Sequence, residues 1–114
     1  MEKERVFSLC TSLPPLAYRI LYYVLENYPV TSKDVAEDHS ISPSTASRIL
    51  SILVERGFLA RESVKNDMIG RPRYLYRPAS GIADVITSLR KSCIDYVSST
   101  FDELIKMLDK QRTE

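Results

Sequence analysis

This sequence predicts a mainly α-helical chain with one small β-hairpin (α+β) and a single long closing helix. Three observations carry the prediction. Apolar residues recur at helical spacing over residues 14–27, 43–56 and 82–111, one stripe per segment. The period shifts toward that of a strand over 58–64 and 73–77. Proline and glycine fall where these periods change rather than inside them.

The elements follow in chain order. Residues 2–10 form a mixed segment compatible with a helical arm. Ser12-Leu13-Pro14-Pro15 starts the first strong helix, since proline in a first turn sacrifices no intrahelical N–H bond. Its buried side is Leu16, Ala17, Ile20, Leu21, Val24 and Leu25, and Asn27-Tyr28-Pro29 stops it. Val30 is placed for a brief strand contact. Thr31 and Ser32 cap a short helix of about 33–38, where Asp34 favours the dipole and Val35 and Ala36 turn inward. After His39-Ser40-Ile41, Ser42 as N-cap and Pro43 at the first helical position open another helix. Its apolar stripe is Ala46, Ile49, Leu50, Leu53 and Val54, and Gly57 closes it as a left-handed cap. Two strands, 58–64 and 73–77, flank the turn residues 65–72. The last helix runs from about Ile82 to Gln111, roughly 45 Å at 1.5 Å per residue.

That last helix is too long for a chain of 114 residues to cover by itself. A second copy of the same helix is the simplest partner for its apolar side. Ile82, Ile86, Leu89, Cys93, Tyr96, Val97, Phe101, Leu104 and Leu108 are the expected dimerisation residues. The chain is thus expected to divide into residues 1–80 and a dimerisation helix over 81–114.

Composition bounds the function. An apolar fraction of 44% and a charged fraction of 27% are ordinary for a folded soluble domain. No apolar run is long enough to span a bilayer, and the charged N-terminus is not a secretory signal, so a cytoplasmic protein is expected. Cys10 and Cys93 match no metal or redox spacing and read as small buried apolar residues, with a disulfide or redox switch as the alternative. One histidine, His39, cannot anchor a zinc site and reads as a half-buried packing residue. No phosphate loop, metal cluster or activated nucleophile is present, so no enzyme, metal or cofactor is expected.

The net charge of +1 is unevenly distributed. Residues 1–41 carry −2, residues 79–114 carry −1, and residues 42–78 carry +4, from seven Lys/Arg against three Asp/Glu. A short helix, a tight turn and a second helix over 31–57 would present that second helix to a DNA major groove. Its exposed side is Ser44, Thr45, Ser47, Arg48 and Ser51, with no acid before Glu55. Small hydroxyls permit close approach to phosphates and base edges, Arg48 can read guanine, and the helix N-terminus beginning at Ser42 suits a phosphate. Arg71 and Arg73, beside Gly70 and Pro72 at a loop tip, suit minor-groove or phosphate contact.

The stretch SKDVAEDHSISPSTASRILSILVERGFLARE resembles the helix-turn-helix of winged-helix transcription regulators of the MarR/TrmB-like superfamily, especially small archaeal members. GRPRYLYRP resembles the tip and returning strand of their wing, and the similarity spans about residues 14–78. The resemblance implies a winged helix-turn-helix fold in which Ser44, Thr45, Ser47 and Arg48 face DNA. It also implies that Lys65, Arg71 and Arg73 touch the backbone or minor groove from the wing. Many members carry Leu-Gly where this chain has His39-Ser40, which would place a serine in a left-handed turn position.

The expected function is a homodimeric, sequence-specific regulator of transcription that binds double-stranded DNA, more readily a repressor than an activator. The alternative is a winged-helix module that binds protein instead. A small-molecule effector site among Tyr18, Tyr22, Tyr23, Tyr74, Tyr76 and Tyr96 is the weaker reading, since aromatics at such spacing more often build core.

Overall fold

The computed structural model describes residues 2–64 and 73–112. In chain order they form α1 (Glu2–Thr11), α2 (Pro15–Asn27), α3 (Ser32–His39), α4 (Pro43–Glu55), β1 (Leu59–Val64), β2 (Arg73–Pro78) and α5 (Ile82–Arg112). The expected turn at 65–72, including Lys65 and Arg71, lies outside the described residues.

Local chemistry sets the helix boundaries. Proline occupies the first turn of both α2 and α4, as expected. At α3, Thr31 and Asp34 form a reciprocal capping box. The Asp34 amide donates to Thr31 Oγ1 at 3.2 Å, and the Thr31 amide donates to Asp34 Oδ2 at 2.9 Å. Ser42 Oγ accepts from the Thr45 amide at 3.1 Å, satisfying a first-turn donor of α4.

Three described residues have positive φ: Ser12 at 62° between α1 and α2, and Ser40 and Gly57 at the ends of α3 and α4. Ser40 closes α3 at φ 53°, ψ 45°, the left-handed position anticipated from the His39-Ser40 sequence. Its amide donates back toward the Ala36 and Glu37 carbonyls. Gly57 follows α4 at φ 86°. There the Phe58 amide reaches the Leu53 carbonyl at 3.0 Å and the Gly57 amide reaches Val54 at 3.1 Å, a Schellman closure.

The core is one cluster shared by α2, α3, α4 and the hairpin. Ile20, Val24, Val35, Leu50 and Leu53 are its largest fully enclosed side chains. Phe58, Leu59 and Tyr76 seal it from the hairpin side. β1 and β2 pair antiparallel, with Leu59 opposite Pro78, Arg61 opposite Tyr76 and Val64 opposite Arg73. Val30 joins as an isolated bridge: its amide donates to the Tyr76 carbonyl at 3.2 Å, and the Tyr76 amide donates back at 2.8 Å.

The arm at residues 2–10 is a full helix that packs on α2 and α5. Phe7 anchors it, with ring centroids 5.8 Å from Phe58 and 5.5 Å from Tyr18. The Arg56 guanidinium adds a hydrogen bond to the Thr11 carbonyl at 2.9 Å.

The cysteines correct the sequence expectation. They are not independent buried thiols but a disulfide, Cys10–Cys93, tying α1 to α5 with Cα atoms 5.5 Å apart. Their 83-residue separation carried no sign of the pairing, because only the packing of α1 against α5 brings them together.

The first turns of α5 dock on the body, where Ile82, Val85 and Leu89 pack against the core. Beyond Cys93 the helix projects away, and the molecule is 76 Å long but only 28 by 21 Å across. No helix among the described residues is long and apolar enough to cross a membrane.

Candidate nucleic-acid interface

The amphipathic pattern of α4 divides its residues cleanly. Ala46, Ile49, Leu50 and Leu53 are buried, while Ser44 and Arg48 are exposed and Thr45, Ser47 and Ser51 are half-buried beside them. All five polar residues expected on the outer face are therefore brought together on one helix surface. Ser42 lies at its start, but its hydroxyl is engaged within the helix cap, 2.8 Å from Thr45 Oγ1 and 3.2 Å from Ser44 Oγ.

A cleft of about 390 Å³ lies beside this face, between the start of α3, α4 and the hairpin. Ser47, Ser51 and Arg73 line it, as do Lys33 and Arg61, which sequence reading did not select, and Tyr74, which it named only for the weaker effector reading. No carboxylate lines it among the described residues. Strand alternation puts Arg61 on the face of Ser63 but does not single it out. Its relation to Tyr74 and Ser51 depends on the hairpin register and on how the hairpin meets α4.

The structure also sorts the arginines of the basic middle segment. Arg77 lies 3.8 Å from Glu62 across the hairpin, and Arg56 is committed to the Thr11 carbonyl. Among the described residues, Arg48, Arg61 and Arg73 have no carboxylate within salt-bridge distance. The uncompensated charge thus sits on α4 and around the cleft. No group of three potential metal ligands occurs among the described residues.

The expected dimerisation residues separate into two sets. Ile82 and Leu89 are half-buried against the chain's own core, and the Cys93 sulfur is bonded to Cys10. Ile86, Tyr96, Val97, Phe101, Leu104 and Leu108 are exposed, as are Ile94, Ile105 and Met107. The open apolar surface is therefore concentrated on the distal part of α5, where the chain itself supplies no cover.

The tyrosines do not gather at one site. Tyr76 is core, Tyr23 packs edge-on against His39 with centroids 5.2 Å apart, and Tyr18 lines an apolar cleft of about 510 Å³ between α1 and α5. His39 is half-buried, with Nδ1 2.9 Å from the Val35 carbonyl, a packing position.

Three helices in which α3 presents α4 across a short left-handed turn, flanked by a hairpin, define a winged helix-turn-helix domain. The chain belongs to the MarR family, whose sequence model matches residues 11–67. Among solved structures, it is similar to a possible transcriptional regulator from Methanosarcina mazei Go1 (20% identity, 90% of this chain and 88% of that one, TM-score 0.70). A protein from the thermoacidophilic archaeon Sulfolobus tokodaii is equally similar, at 21% identity over 87% of this chain and 94% of that one, with TM-score 0.71. A transcriptional regulator homologue from Pyrococcus horikoshii OT3 matches at 16% identity over 79% and 83%, with TM-score 0.51. No curated protein matches the chain. Family membership, beside neighbours named as regulators, supports a DNA-binding transcriptional regulator rather than an enzyme.

Proposed function

We propose that this chain is a homodimeric, sequence-specific regulator that inserts α4 into the major groove of double-stranded DNA and acts chiefly as a repressor in the cytoplasm. The observation that carries the reading is the polar face of α4, which has no acid before Glu55, and its adjoining cleft, where no carboxylate occurs among the described lining residues and Arg48, Arg61 and Arg73 stand around it. In this reading Ser44, Thr45, Ser47 and Arg48 approach base edges and phosphates. Lys65, Arg71 and Arg73 extend contact to the backbone or minor groove. The hydroxyl of Ser42 holds the helix start, and Ser51 acts from the inner edge.

Dimerisation rests on the exposed apolar residues of distal α5, from Ile94 to Leu108. A soluble chain gains most by covering such a row, and an identical helix offers a self-complementary surface. Two α4 helices related by a two-fold axis then read half-sites about one DNA turn apart, ~34–36 Å. Occupancy of such a site excludes polymerase or an activator.

Fluorescence anisotropy with duplex DNA across a salt series tests the reading, with Arg48→Ala beside the parent. Binding that weakens steeply with salt, and is weaker by about tenfold or more in the variant, is expected for a charged groove contact. Absence of binding at low salt would instead favour a protein-binding module. Truncation after Cys93, which keeps the docked turns of α5 and the disulfide, should convert the dimer to a monomer in sedimentation; a dimer that survives it refutes the role of distal α5.

A further inference from the structure

We infer that Arg61 takes a backbone phosphate of duplex DNA, with Tyr74 and Ser51 holding its guanidinium in place beforehand. The inference rests on the DNA-binding reading above and assigns a residue that the sequence pattern did not select.

The hairpin register places Arg61 and Ser63 on β1 on the same face as Tyr76 and Tyr74 on β2. Tyr76 is buried at the base of that face, whereas Tyr74 stands farther out and is 38% exposed. The Arg61 guanidinium carbon lies 4.6 Å from the centre of the Tyr74 ring. Its Nη1 donates to Ser51 Oγ of α4 at 3.3 Å. Arg61 therefore bridges the hairpin and α4 and forms part of the cleft wall, with Lys33 and Arg73 on the same cleft.

How the chain treats its other arginines gives this arrangement its meaning. Arg77, on the opposite face of the hairpin, is beside a carboxylate, and Arg56 is spent on a backbone carbonyl. Arg61 is held by an aromatic face and a neutral hydroxyl, which restrict its motion without cancelling its charge. A guanidinium has five N–H donors in a planar fork, and the Ser51 bond uses one of them. The remaining donors suit a tetrahedral oxyanion, which the fork can engage in bidentate fashion.

Position argues for phosphate over base. Ser44 and Arg48, the outward residues of α4, are not among the residues lining the cleft. With α4 in a groove, the cleft lies to its side and faces the flanking sugar-phosphate strand. Contacts of that kind set register and orientation without reading sequence. Tyr74 is thus a positioning residue that acts through Arg61.

The test uses the full chain and a fluorescein-labelled random-sequence duplex, titrated between ~50 and ~200 mM salt. Arg61→Ala should weaken binding about tenfold at fixed salt, as for loss of a charged hydrogen bond. It should also lower the magnitude of the slope of log K against log salt by about 0.9, the signature of one phosphate lost. Tyr74→Leu should weaken the parent but not the Arg61→Ala protein, while Tyr74→Phe keeps parental affinity. An unchanged slope in folded Arg61→Ala, with the parent still salt-sensitive, overturns this inference alone. So does a Tyr74→Leu effect of equal size in both backgrounds. A parent that shows no binding removes the DNA reading, and this inference with it.

Discussion

Replacing Cys10 and Cys93 together with serine removes the one covalent tie between α1 and α5. The bond closes a loop spanning 83 positions of sequence. In the chain-entropy treatment such a cross-link disfavours the unfolded chain by about 4.5 kcal/mol at room temperature. That figure is a ceiling, since compact denatured chains have less freedom to lose. Measured native disulfides cluster near ~2–4 kcal/mol, and about 3 kcal/mol is expected here. Both cysteines are only half-buried, so serine opens no large cavity and adds little to the loss. At a urea slope near ~1.5 kcal/mol per M, the midpoint should fall by about 2 M. The corresponding loss in melting temperature is roughly 12–20 °C. The assay is urea unfolding followed by circular dichroism at fixed protein concentration, with oxidised parent, reduced parent and the double variant compared. Reduced parent should match the variant, and a dithiol should leave the variant unchanged. Equal midpoints for oxidised parent and variant, or two free thiols titrating in the native unreduced protein, would refute the reasoning.

Two further outcomes follow from single residues. The Tyr23 phenol is pushed up from 10.0 to about 12, first by its hydrogen bond to the Asp38 carboxylate and then by burial. The folded state therefore favours the protonated phenol, so its stabilising effect is complete below pH ~10 and is lost as pH rises toward ~12. Alkaline unfolding curves should show this loss in the parent and a shallower fall in Tyr23→Phe; identical pH profiles would remove the Asp38 bond as the cause. Ser40 sits at φ 53°, ψ 45°, where a side chain is strained by roughly 1–2 kcal/mol and glycine is not. After the greater flexibility of glycine in the unfolded chain is set against this, Ser40→Gly should raise stability by about 0.5–1 kcal/mol. A lower thermal midpoint in that variant would show that the serine side chain contributes something the turn geometry does not reveal.

The elements that sequence reading placed well are those with local causes. Pro43 after Ser42 started α4, Gly57 ended it, and the 3.6-residue stripe between them named Ala46, Ile49, Leu50 and Leu53 as its buried side. The polar residues on its other side were legible for the same reason. Arg61 was not, because its environment comes from β2 and α4, 13 and 10 residues away in sequence. Ile82, Leu89 and Cys93 read as part of a continuous apolar stripe, yet α1 and the core occupy that portion of α5. Periodicity says which side of a helix is apolar; it does not say which neighbour covers it.

What the sequence determined by itself is the order of helices and strands, the polar face of α4 and the excess of apolar surface on the last helix. Each is written in spacing and in capping residues that act over one or two turns. The tertiary structure alone decided that Cys10 meets Cys93, that Arg77 is balanced by Glu62 while Arg61 rests on Tyr74, and that the exposed apolar residues of α5 lie mostly beyond Cys93. These depend on segments distant along the chain meeting at particular angles and register, and such geometry follows from packing the whole core at once.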